Sequence, residues 1–160
     1  MKSSSFHKSI VTVTFGTTLL VALDQLSKAA ARKLPSTVAN TGSAFGTLQG
    51  AAPYLVVLSV AMALAILLLY RKLTQRLERA GAILILAGII GNSIDRAFHG
   101  AVTDFITLPF WPSFNLADCF LTSGAALLIF AYIKQRLAAR TKQTTLTAAA
   151  PKKSGKRRKK

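Results

Sequence analysis

Acidic residues are nearly absent from this chain. It holds 5 Asp and Glu against 21 Lys and Arg in 160 residues, a net charge of +16. Charge of either sign is scarce as well: 16% of residues, where an ordinary soluble domain has roughly 25%. Apolar residues fill the gap, at 51% of the total. A small soluble domain leaves much of its surface in water and cannot hide so many, which excludes a simple soluble globule. The bilayer is the alternative solvent. The length allows about four spanning helices at roughly 20 residues each.

Cysteine is nearly absent too. Cys119 stands alone, so no intrachain disulfide is possible and the redox compartment cannot be read from cystine. It reads as a small apolar packing residue. The two histidines, His7 and His99, are expected on opposite sides of the membrane, which excludes a Ser/His/Asp set. No cluster has metal-ligand spacing, and no cofactor is expected.

The positive charge is unevenly spread: seven of the 21 basic residues lie between Lys152 and Lys160. Residues 141–160 are rich in Thr, Ala, Lys and Arg, and are expected to form a disordered basic tail outside the main domain, 1–140. At the other end, Lys2 and Lys8 precede an apolar run from Ile10, as in a secretory signal. That run carries Asp24 and Lys28 in place of a small-residue cleavage site, and further apolar segments follow, so it is expected to be retained as a span.

Four spans are predicted, at about 10–31, 51–70, 80–98 and 116–133. Asp24 and Lys28 lie four apart on one helix face and can pair, with Lys28 snorkelling toward the membrane surface. The second span has no ionisable group inside and is bracketed by Tyr54 and Tyr70, as interfacial aromatics often are. In the third, Gly81 and Gly88 permit close helix approach. Gly88, Asn92 and Arg96 share one face, which should point into the bundle. The connections 32–50 and 99–115 could each hold a short extended piece, the second with an aromatic turn at Phe110, Trp111 and Phe114.

Charge asymmetry sets the orientation. With four spans, 17 of the 21 basic residues fall on one side, which places both termini in the cytoplasm. Asn40, Asp104 and Asp118 then gather at the outer face. Carboxylates and amides placed between membrane-length apolar segments are costly and are functional candidates for that reason. The first-turn position of Asp118 also suits simple helix capping, and Asn92 also suits a plain interhelical hydrogen bond.

Five stretches occur in an order that resembles the bacterial lipoprotein signal peptidases, or signal peptidase II family. They are Asp24-Gln25-Leu26-Ser27-Lys28, Asn40-Thr41-Gly42-Ser43-Ala44-Phe45, Gly88-Ile89-Ile90-Gly91-Asn92-Ser93-Ile94-Asp95-Arg96, Val102-Thr103-Asp104-Phe105 and Phe114-Asn115-Leu116-Ala117-Asp118. The resemblance implies an all-α membrane protein, a four-helix transmembrane bundle with a small β-cradle at the outer, periplasmic face. Only eleven residues separate Lys28 from Asn40, so that cradle should be small, and Thr103 stands where Val is common in the family.

The resemblance implies an intramembrane aspartic endopeptidase of the bacterial inner membrane. It would remove signal peptides from diacylglyceryl-modified prolipoproteins, cutting before the lipid-modified cysteine. Asp104 and Asp118 match the catalytic pair; Asp24, Lys28, Asn40, Gly42, Gly88, Asn92, Arg96 and Asn115 match positions that support the site or the substrate. Expected partners are the diacylated prolipoprotein and membrane lipids, with the enzyme a monomer and no specific nucleic acid bound. The basic tail would attract polyanions, yet it has no aromatic residues for base stacking. The competing class is a non-enzymatic membrane protein, a small transporter or proton-linked subunit. It would place its acids near the middle of the bilayer.

Overall fold

The computed structural model of the chain describes residues 2–42 and 52–149. Helix α1 runs Lys2–Ala31 and strand β1 Val38–Asn40. Helices α2 (Ala52–Tyr70) and α3 (Arg76–His99) follow. Three short strands come next, β2 (Val102–Asp104), β3 (Ile106–Leu108) and β4 (Trp111–Phe114), and then helix α4 (Leu116–Ala149). Ser43 to Phe45 of the second motif, and residues 150–160 of the basic tail, lie outside the described residues.

All four helices are long and apolar enough to cross a membrane, over Ser9–Ala31, Pro53–Tyr70, Arg76–His99 and Leu116–Gln143. At about 1.5 Å per residue, even the 18 residues of the second reach ~27 Å, close to the hydrocarbon thickness. Large apolar side chains such as Phe15, Val57, Leu68 and Ile129 face outward. The interior is where polar residues collect: of the five largest fully buried side chains among the described residues, Lys28, Asn115, Asp24 and Asp95 are polar and only Leu86 is not. This inversion suits a hydrocarbon solvent, since polar groups must find their partners inside the protein.

Helix α3 is the hub, packing on α1, α2 and α4. Glycines allow the closest approaches. A Cβ on Gly81 would lie 2.8 Å from the Gly124 carbonyl oxygen, and one on Gly88 2.5 Å from that of Ala117. The Glu78 carboxylate starts α3 early, at Arg76, by accepting the backbone N–H groups of Thr74 and Gln75 at 3.1 and 3.0 Å. Gly100 ends it in the left-handed region, its N–H donating to the Arg96 carbonyl.

Both extended connections form. β1 pairs antiparallel with β2, setting Val38 opposite Asp104 and Asn40 opposite Val102. β3 and β4 make a second antiparallel pair around an exposed turn with Phe110 at φ 63. The two pairs cover the end of the bundle where α1 and α3 finish and α2 and α4 begin.

Three expectations need correction. Tyr70 ends the second span but faces inward: it is 3% exposed, packed with Val13, Ala82 and Leu86, whereas Tyr54 is 80% exposed. Lys28 does not snorkel but is wholly buried, because α3 offers it partners that water would otherwise supply. The helix does not stop near Ile133, and 141–149 is helical where disorder was expected. Extending a formed helix fixes one residue per new hydrogen bond, and this stretch has neither Gly nor Pro to stop it.

Candidate active site

The site begins with the first turn of α4. Asn115 precedes the helix, and its side-chain oxygen accepts the N–H of Asp118 at 3.1 Å. Asp118 returns the bond, its Oδ2 accepting the Asn115 N–H at 3.0 Å. This is a reciprocal capping box, and it fixes the direction in which both side chains leave the backbone. Capping uses one oxygen of Asp118. The other, Oδ1, accepts from Asn92 Nδ2 at 2.8 Å.

Asp104 comes from β2, and its Oδ1 accepts from Asn115 Nδ2 at 2.6 Å. Its Oδ2 accepts from Asn40 Nδ2 at 3.0 Å, a contact set by the β1–β2 register. Each of the four carboxyl oxygens thus receives one amide N–H, and Asn115 joins the two acids. Asp104 is 2% exposed. Burial pushes its carboxyl above the usual range, and the bonds from Asn115 and Asn40 pull it back only in part; the nearby Asp118 raises it further.

Both acids line a cavity of about 430 Å³, with Asn40, Asn92 and Arg96 in its wall. Arg96 donates from Nη2 to the Gly42 carbonyl at 2.9 Å, while its Nε is buried with no partner among the described residues. Gly42 in turn gives its N–H to Asn40 Oδ1 at 3.0 Å.

Beneath the cavity lies a buried ionic cluster. Lys28 Nζ is 2.9 Å from Asp24 Oδ2 and 3.7 Å from Asp95 Oδ2, and donates to Asn92 Oδ1 at 2.9 Å. Asp95 also takes Arg32 Nη2 at 2.7 Å and the Thr103 N–H at 2.8 Å. Asp24 accepts the Ala117 N–H at 2.9 Å, which ties α1 to the first turn of α4. Asp24, Lys28 and Asp95 are wholly buried, and Arg32, reaching in from a partly exposed position, brings the bases to two against two acids.

The expected site residues therefore fall into two groups. Asn40, Asn92, Arg96, Asp104 and Asp118 line the cavity. Asp24, Lys28, Gly42, Gly88 and Asn115 sit behind it, Gly88 as a close contact with α4. Sequence reasoning gave no role to Asp95, Arg32, Gln25, Thr103 or Gly91. Asp95 carried a signal, since it lies three residues after Asn92 and is an acid inside a span. The Thr103 hydroxyl accepts from Arg32 Nε at 3.0 Å, which a Val could not do. Gly91 leaves room for Asp24, whose Oδ2 would lie 2.5 Å from a Cβ there. Among the described residues, no three His, Cys, Asp or Glu side chains gather to hold a metal ion.

The arrangement sets two carboxyl groups of unequal burial on the wall of one cavity, with amide and guanidinium donors alongside. Both acids lie at the end of the bundle, in β2 and the first turn of α4, and not at mid-span as a proton-linked transporter would place them.

The chain is similar to known proteins along most of its length. Residues 17–134 match the family model described as signal peptidase (SPase) II. A lipoprotein signal peptidase of Caldicellulosiruptor bescii is 36% identical over 127 residues, 71% of this chain and 85% of that protein. One of Syntrophomonas wolfei is 38% identical over 128 residues, 69% of this chain and 85% of that one. A solved bacterial membrane enzyme superposes with a TM-score of 0.73 at 26% identity, over 94% of both chains. A second has a TM-score of 0.69 at 28% identity, over 78% of this chain and 94% of the other.

Proposed function

The chain belongs to the signal peptidase II family, a multi-pass membrane peptidase that removes signal peptides from prolipoproteins, and we propose that it does so with Asp104 and Asp118 as an aspartic dyad. The observation that carries this reading is the pairing of the two carboxyl groups through Asn115 on the wall of one cavity.

Hydrolysis of a peptide bond needs a base for water and an acid for the leaving amine. Two acids in one cavity share a single proton, since both cannot ionise together. Asp104, the more deeply buried of the two, takes the part of the acid, and Asp118 that of the base. Asp118 takes a proton from water as the water attacks the carbonyl carbon. Asp104 donates a hydrogen bond to the carbonyl oxygen, and proton transfer to the nitrogen releases the amine. Arg96 lines this space, and its guanidinium suits the substrate carbonyl or the developing oxyanion.

The substrate is a prolipoprotein carrying diacylglycerol on the cysteine that follows the cut. The cavity supports this, because it continues between α2 and α4 past Leu55, Leu58, Met62 and Leu121, where acyl chains can lie in contact with the bilayer. Lipid chains and the scissile bond then reach the site together. The charge asymmetry supports both termini in the cytoplasm of a bacterial inner-membrane protein, with the dyad at the periplasmic face. The enzyme acts as a monomer, since the dyad and its supports all come from one chain. Cleavage of a diacylated prolipoprotein beside its unmodified form tests the substrate. Preference for the diacylated form is expected; equal rates would remove the lipid from the account.

A further inference from the structure

Three asparagine amides donate to the two acids, and each can do so only if its oxygen end is occupied elsewhere. Rotating an amide by about 180° exchanges donor and acceptor at little intrinsic cost, so the partners decide the orientation. For Asn40 the oxygen is held by the Gly42 backbone N–H, and for Asn115 by that of Asp118. Those donors cannot be lost. Asn92 differs: its oxygen is held by the ammonium of Lys28, at 2.9 Å.

We infer that Lys28 is a positioning residue for the reaction, fixing through Asn92 the hydrogen bond that Asp118 receives. This inference rests on the aspartic reading of the site. A reversed Asn92 amide would turn its N–H groups toward Lys28 and its oxygen toward the Asp118 carboxylate, which is repulsive at both ends. With Lys28 in place, only the donating orientation survives, and it favours the ionised form of the base. The charge of Lys28 is kept by Asp24 at 2.9 Å and Asp95 at 3.7 Å, while Arg32 shares Asp95 from the other side. The remaining charged groups nearby are Asp104, Asp118 and Arg96 in the cavity wall. An apolar side chain could fill the space without the desolvation cost of a wholly buried ammonium. What it could not do is choose the orientation of Asn92.

The test uses the full chain in detergent with a diacylated prolipoprotein, following kcat and KM against pH. The variants are Lys28→Met, the charge-balanced pair Asp24→Asn/Lys28→Met, Asn92→Ala, Lys28→Met in the Asn92→Ala background, and Asp118→Asn. Lys28→Met should lower kcat about tenfold or more, leave KM within about twofold, and move the acid limb of the kcat profile up by roughly one pH unit. Asn92→Ala should move the limb equally, and adding Lys28→Met to it should move the limb by much less than Lys28→Met does alone, the remainder being the direct effect of the Lys28 charge on Asp104. If Lys28→Met fails to insert, the charge-balanced pair carries the same comparison. An unmoved limb, an effect on KM alone, or an equally large further shift in the Asn92→Ala background would overturn the inference; the last would mean that the charge acts on the acids without Asn92. Activity in Asp118→Asn would sink the dyad itself, whereas an inactive Asp118→Asn beside an unmoved limb in the Lys28 variants would sink only this inference.

Discussion

Asn115 and Asp118 cap each other, each side chain accepting the other's backbone N–H, at 3.1 and 3.0 Å. A motif that usually does no more than start a helix here also aims a carboxylate, and the amide left over on Asn115 reaches the second acid. Stability and chemistry therefore meet in one residue. Asn115→Ala should cost about 1 kcal/mol of stability as a lost cap, and about 100-fold or more in kcat as Asp104 loses its 2.6 Å donor. Thermal unfolding and initial rates on one preparation check both.

Gly88→Ala tests the helix contact that places this turn. The new Cβ would meet the Ala117 carbonyl oxygen at 2.5 Å and Leu121 at 2.6 Å, so α4 must move off α3. Overpacking of this kind costs about 1–3 kcal/mol. Because Ala117 lies between Asn115 and Asp118, turnover should fall as well as the unfolding temperature.

Thr103→Val should separate structure from chemistry. It removes the Arg32 Nε bond but leaves Arg32 on Asp95 at 2.7 Å. A cost of about 1 kcal/mol is expected, with kcat unchanged within about twofold. A large loss of kcat would place Thr103 closer to the reaction than its contacts do.

The raised titration of Asp104 carries a sign for stability. A carboxyl whose folded-state value lies above its unfolded one stabilises the fold below the unfolded value, and that contribution is lost as pH rises through the folded one. Asp104→Asn does not titrate. Whatever constant offset the amide brings, the gap in Tm between variant and wild type should move in favour of the variant as pH rises from about 4 to 8. A gap that moves the other way would mean that Asp104 is ionised in the resting site.

Much of this was legible in the sequence because the bilayer imposes a simple code. Four apolar runs gave four helices, and Asp104 and Asp118 stood out as acids beside them. Asn92 and Asn115 stood out with them as amides between apolar runs, and the resemblance added a role for Asn40. What stayed hidden depends on which helix faces meet. Arg32 read as the start of a loop and Lys28 as a side chain reaching for the membrane surface, since nothing in either neighbourhood reveals that Asp95, 63 residues beyond Arg32, lies between them. Tyr70 read as interfacial for the same reason. The length of α4 was missed because polar composition argues against a packed core, and a helix that continues from a spanning segment does not need one.

The central claim is that Asp104 and Asp118 share the work of hydrolysis. Its most direct test is the rate at which purified Asp104→Asn and Asp118→Asn, each confirmed to be inserted and folded, cleave a diacylated prolipoprotein beside wild type. The account predicts that each variant loses at least about 10³-fold in kcat. Cleavage by either at a rate near wild type would contradict it.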